Sequence, residues 1–246
     1  MNKEQRDAYI EFAKEKLGIE FDNIELLITA LTHRSYVNEH KKTVVEHNER
    51  LEFLGDAVLE LVSSDFLFRN YDEPEGIMTS WRAALVNTEA NAAAGEKLGY
   101  GPLVRLSKGE QNGSERAHHV IMADCYEAII GAIYLDKGYA RAEQFIQENS
   151  LVRLDEILET ESWRDPKSYL QELAQKIDGV TPEYRVMKEE GPDHDKTFTL
   201  GVYVGGHLKA SGTGHSKQEA QVNAAAEAIR RYKKAHPEEF KEYKKK

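Results

Sequence analysis

Residues 47–59, HNERLEFLGDAVL, set three carboxylates into a stretch of sequence that is otherwise strongly apolar. At about 100° per residue on a helix, Glu49, Glu52 and Asp56 fall within an arc of roughly 60°. Apolar side chains cover most of the remaining circumference, which predicts a helix that is buried nearly all round. Carboxylates buried close together cost on the order of several kcal/mol each unless cations or donors compensate them. The stretch therefore predicts that something binds these three side chains.

Two kinds of partner are open for these carboxylates. One is a basic side chain such as Arg50, which would make a structural salt-bridge cluster; the other is a metal ion. Residues 123–135, ADCYEAIIGAIYL, favour the metal, because Asp124 and Glu127 repeat the design on a second apolar helix. Two such helices packed face to face would bring four carboxylates into one pocket, and oxygen-only ligands suit Mg²⁺ or Mn²⁺ rather than zinc. The predicted metal ligands are Glu52, Asp56, Asp124 and Glu127.

These two stretches resemble the bacterial ribonuclease III family. Residues 47–59 are similar to the family signature, and further matches are ALTHRSY at 30–36, KGE at 108–110 and the pattern ADxxEAxxGAxYLDxGY at 123–139. The resemblance covers essentially the whole chain. It implies an all-α N-terminal endonuclease domain. It also implies an enzyme that hydrolyses phosphodiester bonds in double-stranded RNA with two divalent cations, which would be Mg²⁺, with Mn²⁺ as a possible substitute.

The resemblance also implies roles for single residues. Asp56 and Glu127 would be catalytic, with Glu127 the most sensitive because it helps to bridge the metals, and Glu49 and Glu75 would support the site. Phe53 matches an aromatic knob that enters the partner subunit of a homodimer; the alternative is an ordinary core phenylalanine. The products would be 5′-phosphate ends with short 3′ overhangs, and the substrates would include ribosomal-RNA precursors and other structured transcripts.

The charge of the chain is unevenly distributed. Its net charge is −10, yet residues 1–163 carry 17 Lys and Arg against 30 Asp and Glu, whereas residues 164–246 carry 16 against 13. An acidic segment disfavours polyanions unless metal ions intervene, and a mildly basic one can hold phosphates directly. This split suggests a division of labour between a cleaving half and an RNA-holding half.

The pattern of elements changes after a short polar connector. A helix opened by Asp-Pro at 165–176 is followed by predicted strands at 183–189, 197–204 and 207–212, with a hairpin turn at Gly205 and Gly206, and by a helix at 216–234. This small α+β unit, in the order α-β-β-β-α, resembles the double-stranded-RNA-binding domain, which reads A-form shape across about 16 bp. We therefore predict an endonuclease domain at 1–158, a linker at 159–163, an RNA-binding domain at 164–234 and a basic tail at 235–246.

The second resemblance implies an RNA-binding surface. On the first helix of this domain, Ser168, Gln171, Glu172 and Gln175 would reach 2′-hydroxyls in the minor groove, together with His194 in a loop. Lys217, Gln218 and Gln221 would lie at the start of the last helix, where backbone amides and the helix dipole also favour phosphate. Gln218 stands where the family commonly has Lys or Arg, so one phosphate contact is neutral. The alternative for these residues is a solvated helix face.

The remaining N-terminal elements are also predicted to be helical. Helices are expected at 2–16, 24–31, 77–98 and 140–158, with polar loops at 32–40 and 106–119. The single cysteine, Cys125, excludes an intramolecular disulfide, and neither a signal peptide nor a membrane-spanning run is apparent. We therefore expect a cytoplasmic protein. The rival function is a noncatalytic RNA-binding protein that keeps the helical domain for dimerisation, and the presence of all four predicted ligands argues against it.

Overall fold

The computed structural model describes residues 1–41, 44, 46–192, 195–240, 243 and 245–246. The chain divides into two compact units, Met1–Ile157 with Lys245–Lys246, and Leu158–Lys244. Within the described ranges, no helix is both long and apolar enough to cross a bilayer. The prediction for His194 lies outside the described residues, as do three positions of the predicted basic tail, 241, 242 and 244.

Apart from one isolated β-bridge between Thr32 and Arg105, the regular elements described in the first unit are helical, which confirms its predicted class. The helices are α1 (Lys3–Glu15), α2 (Ile24–Ala30), α3 (Arg34–Glu39), α4 (Glu49–Asn70), α5 (Glu75–Val86), α6 (Thr88–Leu98), α7 (Lys108–Gln111), α8 (Glu115–Lys137), α9 (Tyr139–Asn149) and α10 (Leu154–Thr160). Single 3-10 turns at Gly101–Leu103 and Leu151–Arg153 connect some of them. The two long helices, α4 and α8, pack against each other at the centre of the unit.

Two glycines allow α4 and α8 to approach each other at backbone distance. A Cβ added to Gly55 would lie 1.8 Å from the Glu127 carbonyl oxygen, and one added to Gly131 would lie 2.2 Å from the Leu51 carbonyl oxygen. Both distances are far inside van der Waals contact, so neither position tolerates a side chain. The crossing point therefore lies at the acidic residues, since Gly55 directly precedes Asp56 and packs on the backbone of Glu127.

Helix α4 is not buried all round, contrary to the prediction. Its inner side, including Leu59 and Val62, is buried, but Phe53, Leu61 and Phe68 are 80%, 56% and 69% exposed. These three side chains share one side of the helix, next to the arc that carries the carboxylates. Helix α4 thus has two apolar sides. The rest of the chain packs over one of them and leaves the other exposed to solvent.

Several predicted helices and loops have different boundaries in the structure. The predicted helix at 77–98 is interrupted at Asn87, whose side chain accepts a hydrogen bond from the Ala90 amide at 2.8 Å and so starts α6. The predicted loops contain α3, α7 and the first turn of α8, which begin after His33, Ser107 and Ser114. The predicted helix at 140–158 is broken at Ser150. Capping side chains accept hydrogen bonds from the free amides of a helix's first turn. The periodicity of apolar residues does not reveal these caps, so it does not locate the helix boundaries.

The second unit has the predicted α-β-β-β-α order. Its elements are α11 (Pro166–Ile177), β1 (Glu183–Glu190), β2 (Thr197–Val204), β3 (His207–Gly214) and α12 (Lys217–Ala235), followed by a 3-10 turn at Pro237–Glu239. The strands form an antiparallel sheet in the order β1-β2-β3. Gly205 and Gly206 have φ of 58° and 80°, the conformation that a two-residue hairpin needs at both positions. This confirms the α+β class of the unit.

Both helices of the second unit cover one face of its sheet. The core consists of Tyr169, Leu170, Leu173, Val202, Ala210, Ala224, Ala225, Ala228 and Tyr232, with Phe240 packed against it. Gly212 on β3 lets α12 lie close, since a Cβ there would lie 2.2 Å from the Ala224 amide nitrogen. The outer side chains of α11 and the first turn of α12 remain exposed.

The predicted linker is partly packed rather than solvated. Glu161 is buried and accepts a hydrogen bond from the Tyr169 hydroxyl at 2.6 Å. The guanidinium of Arg164 lies 4.5 Å from the ring centroid of Trp163 and 4.1 Å from that of Tyr169. An arginine between two aromatic faces is stabilised by cation–π attraction, which explains why this polar stretch folds onto α11.

Candidate active site

The α4–α8 crossing brings the predicted metal ligands into electrostatic contact. Glu52 and Asp56 come from α4, and Asp124 and Glu127 from α8. Burial raises the pKa of the Glu52 carboxyl to about 7, and the negative charges of Asp124, Glu49 and Asp56 add to the shift. Burial and then the charge of Asp56 likewise raise the pKa of Glu127 to about 7, against a lowering effect of a hydrogen bond from Asn91. The carboxylates therefore interact electrostatically across the two helices.

The other two carboxyls are shifted in the same direction. Burial raises the pKa of Asp56, and the charge of Glu60 adds to it. Burial also raises the pKa of Asp124, and there the charge of Glu49 adds. All four groups thus hold their protons more tightly than in water, as expected of acids that are partly desolvated and crowded by like charge.

No basic side chain compensates this cluster in the part of the chain that the structure describes. The ion pairs there include none with Glu52, Asp56, Asp124 or Glu127. Arg50 is exposed and lines a different cleft, with Leu26 and Leu135. The salt-bridge alternative built on Arg50 is therefore wrong, because this side chain points away from the acidic residues.

The donor set is not arranged as a finished metal cage. Within the described ranges, no three Asp, Glu, His or Cys side chains are already grouped closely enough to hold an ion. Carboxylates of like charge repel one another, and a cation between them would remove that repulsion. Their assignment as metal ligands stays a prediction.

The two supporting acids occupy different surroundings. Glu49 is exposed, one turn before Glu52, and pairs with Arg34 at 3.3 Å and with His47 at 3.8 Å. Glu75 is the first residue of α5 and lines a groove with Phe68 and other residues of α4 and α5, away from the cleft that holds the acids. It accepts a hydrogen bond from the Thr79 hydroxyl at 3.1 Å. The structure thus places Glu49, but not Glu75, beside the acidic cluster of this chain.

A cleft of about 570 Å³ opens onto one side of the cluster. Its lining includes the acids Glu49, Glu52, Glu110 and Asp124 together with the basic residues His33, Arg34 and Arg116. The two arginines and Asn91 are functional candidates that the sequence analysis missed. Arg116 lies in a stretch predicted to be a loop. Asn91 lies in a predicted helix, and its spacing from other polar residues does not distinguish it as a functional residue. Arg34 lies within the ALTHRSY match at 30–36, although that match assigned it no role, and the sequence carries no local signal for Arg116 or Asn91.

The predicted RNA-binding residues lie on the surface of the second unit. Ser168, Gln171, Glu172 and Gln175 are all exposed on α11. At the start of α12, Lys217 and Gln218 are exposed, and Lys217 pairs with Glu189 at 3.0 Å. Gln221 is half-buried and accepts a hydrogen bond from the Lys167 ammonium at 2.6 Å. The residues lie on two helices of one small unit, and their contact with RNA stays a prediction.

Phe53 is exposed over 80% of its surface, so it is not a core residue of this chain. Leu61, Phe68, Leu135 and Tyr139 are also exposed in the first unit. Contiguous exposed apolar side chains mark surfaces that bind other molecules. The core alternative for Phe53 is wrong, and the knob interpretation stays a prediction.

Comparison with known proteins gives matches to both units. Residues 23–154 match the family model "Ribonuclease-III-like", and residues 166–232 match "Double-stranded RNA binding motif". Ribonuclease 3 of Natranaerobius thermophilus is 45% identical over 95% of this chain and 100% of its own length. Ribonuclease 3 of Listeria innocua is 42% identical over 89% and 96%. A solved structure of the nuclease domain of ribonuclease III from Campylobacter jejuni, described as flexible in a region involved in dimer formation, is 41% identical with a TM-score of 0.51, covering 57% of this chain and 97% of that one.

Proposed function

Because this chain belongs to the ribonuclease III family, we propose that it is an endoribonuclease that hydrolyses phosphodiester bonds in double-stranded RNA by two-metal-ion catalysis. The observation that carries the proposal is the acidic cluster at the α4–α8 crossing, where the pKa values of Glu52 and Glu127 are both raised to about 7. A fold gains no stability from such a cluster, so its use lies in what it binds.

The residues at the cluster fit a hard divalent cation. They offer only oxygen donors with several negative charges, and no arginine or lysine among the described residues competes for them. We propose that Glu52, Asp56, Asp124 and Glu127 hold Mg²⁺, for which Mn²⁺ can substitute. Ions held by these residues would supply activation of the attacking water and stabilisation of the leaving 3′-oxygen.

The protein's own residues prepare this site in different ways. Asp56 is exposed, so its carboxylate is open to water and RNA, whereas Glu127 is half-buried and held by a hydrogen bond. Asp56 and Glu127 are the proposed catalytic residues. Glu49 supports the site by adding negative charge beside Asp124, and the exposed Arg34 beside it offers a cation to the RNA backbone. A supporting role for Glu75 rests on the family resemblance alone.

The second unit is the proposed RNA-holding element. Exposed polar side chains on α11 suit 2′-hydroxyls and base edges in a wide, shallow minor groove, and the start of α12 suits phosphate. The proposed contacts are Ser168, Gln171, Glu172, Gln175, His194, Lys217, Gln218 and Gln221. Residues 1–163 carry a net negative charge and residues 164–246 a net positive one, so the division of charge supports this assignment.

We also propose that the enzyme is a homodimer that works in the cytoplasm on ribosomal-RNA precursors and other structured transcripts. The exposed apolar side of α4, with Phe53, Leu61 and Phe68, supports self-association. Two sites in one dimer would cut opposite strands and leave 5′-phosphate ends with short 3′ overhangs. These product ends follow from the family resemblance.

Cleavage of an end-labelled, perfectly paired RNA duplex tests the proposal. The protein should cut in Mg²⁺, should stop when the ion is chelated, and should still bind the duplex in a gel-shift assay. Glu127→Gln should abolish cleavage and leave binding intact, because it removes a negative ligand and leaves the proposed RNA-holding residues of the second unit unchanged. Glu148→Gln, at an exposed acid on α9, is the matched control and should cut normally. Binding without any cleavage by the unmodified protein would instead identify a noncatalytic RNA-binding protein.

A further inference from the structure

Asn91 is a buried polar residue that contacts the acidic cluster from a third helix. It lies in the second turn of α6 and is 1% exposed. Its side-chain nitrogen donates to the Glu127 Oε1 atom at 2.8 Å and to the Val86 carbonyl oxygen at 3.2 Å. The Val86 carbonyl is a pure acceptor, so the amide nitrogen must face it, and this contact fixes the orientation of the side-chain amide.

The two hydrogen bonds of Asn91 join a helix end to a proposed metal ligand. Val86 is the last residue of α5, and its carbonyl is one of those that a helix leaves without an internal partner. By satisfying this carbonyl, the side chain of Asn91 is itself held in place at the break between α5 and α6. Its second hydrogen atom is then aimed at one oxygen of Glu127.

We propose that Asn91 is a positioning residue that fixes the Glu127 carboxylate, by occupying Oε1, in the orientation that presents Oε2 to the metal. The proposal rests on the proposed function, because it assigns to Glu127 the role of a ligand. A neutral donor suits this task better than a cation would. Lysine or arginine at this position would neutralise Glu127 and compete with the metal, whereas an amide orients the carboxylate and leaves its charge available.

The effect of such a contact is measurable in metal binding without RNA. Residues that hydrogen-bond a metal-binding side chain, without touching the metal, typically contribute about 10- to 100-fold to metal affinity or activity. Isothermal titration calorimetry of the full-length protein with Mn²⁺ alone should therefore show that Asn91→Ala binds the ion with an apparent Kd about tenfold or more higher. If that variant does not fold, Asn91→Leu fills the space left by the amide and serves in its place.

A matched control separates positioning from general stability. Tyr126→Phe removes another buried hydrogen bond of α8, which joins the Tyr126 and Ser150 hydroxyls at 2.6 Å. This side chain points away from the cluster. It should lower the melting temperature without changing the Mn²⁺ affinity. A double-mutant cycle gives the second readout: in a Glu127→Gln background, Asn91→Ala should weaken Mn²⁺ binding no further, since the residue acts through Glu127.

The possible results are distinguishable. If the unmodified protein and Asn91→Ala bind Mn²⁺ equally well, and the variant only melts earlier as Tyr126→Phe does, then Asn91 is a structural cap and the inference is overturned while the proposed function stands. Equal weakening in both backgrounds would also overturn it, because Asn91 would then act on another ligand. If the unmodified protein binds no Mn²⁺ and cuts no RNA, the proposed function itself fails.

Discussion

Gly55 on α4 and Gly131 on α8 face each other at the point where the two helices cross. A Cβ added to Gly131 would lie 2.2 Å from the Leu51 carbonyl oxygen and 3.2 Å from the Gly55 amide nitrogen. This backbone contact decides how near the acids of one helix come to those of the other. Stability and the proposed catalysis therefore depend on the same pair of glycines.

Gly131→Ala should destabilise the first unit, because the new methyl group meets backbone that cannot move without separating the helices. Overpacking of this kind typically costs about 1–3 kcal/mol, or roughly 2–4 °C of melting temperature per kcal/mol in a protein of this size. Thermal unfolding followed by circular dichroism measures it. Gly76→Ala on α5 is the control: nothing lies within 4 Å of its added methyl, and it should be neutral or slightly stabilising. Equal melting of both variants would contradict the close crossing.

Stability in the absence of metal should fall as the pH rises. The folded protein raises the pKa of Glu52 and of Glu127 from 4.5 to about 7, so it binds protons that the unfolded chain has already released. Below about pH 4.5 both states are protonated and the cluster has no effect; from there to about pH 7 its cost grows, and above that it is complete. The melting temperature in chelator should thus be higher near pH 5.5 than near pH 8.

The control for the pH experiment is the double variant Glu52→Gln and Glu127→Gln. It lacks both shifted groups, so the difference in melting temperature between the two pH values should shrink relative to that of the unmodified protein. Mg²⁺ added near pH 8 should stabilise the unmodified protein and leave the double variant almost unchanged. A pH dependence that is the same in both proteins would assign it to other groups, such as Asp56 and Asp124, whose pKa values burial also raises.

Phe53→Ala should weaken self-association and leave the folding of the single chain nearly unaffected. The side chain is 80% exposed, and exposed substitutions usually change stability by no more than about 0.5 kcal/mol. At the centre of an interface the same truncation costs about 2 kcal/mol or more, which is a roughly 30-fold weaker dimer. Sedimentation over a concentration series measures it. Val152→Ala, at another exposed apolar residue, is the control, and an unchanged dimer in Phe53→Ala would place the interface elsewhere.

A fragment of residues 1–157 should fold and bind divalent ions but should cut RNA only at low salt or in elevated Mg²⁺ or Mn²⁺. This unit holds all four proposed ligands, but it is strongly acidic and lacks the proposed RNA contacts of the second unit. At limiting RNA and about 0.15 M salt, its cleavage rate should be about tenfold or more below that of the full chain. Equal rates and equal salt dependence would show that the second unit is not the main RNA-holding element.

Lys217→Ala should weaken binding to duplex RNA regardless of its sequence and should reduce the slope of log affinity against log salt by about 1. Lys217 is exposed at the start of α12, where RNA would replace its pairing with Glu189. Arg230→Ala is the control, because this exposed arginine lies in the far half of the same helix. Gel shifts at several salt concentrations measure both variants. If they lose the same affinity, the start of α12 is not a specific phosphate site.

The sequence by itself determined the elements whose signals are local. The hairpin at Gly205 and Gly206 follows from turn chemistry and alternation, and β2 has the predicted bounds, 197–204. The helices that carry Glu52 and Asp124 follow from apolar periodicity around spaced carboxylates. Neighbouring residues decide each of these features, so a single sequence is sufficient to predict them.

Only the tertiary structure decided which apolar and polar groups the fold covers. Periodicity places Phe53 on a side of α4, but it does not tell whether this chain covers that side, and here it does not. Glu161, in a polar connector, is buried, and there it accepts a hydrogen bond from the Tyr169 hydroxyl and pairs with Arg164. The contact from Asn91 to Glu127 joins residues 36 positions apart, on α6 and α8, which pack against each other in the folded unit. Such contacts depend on how helices pack and leave no trace in local spacing.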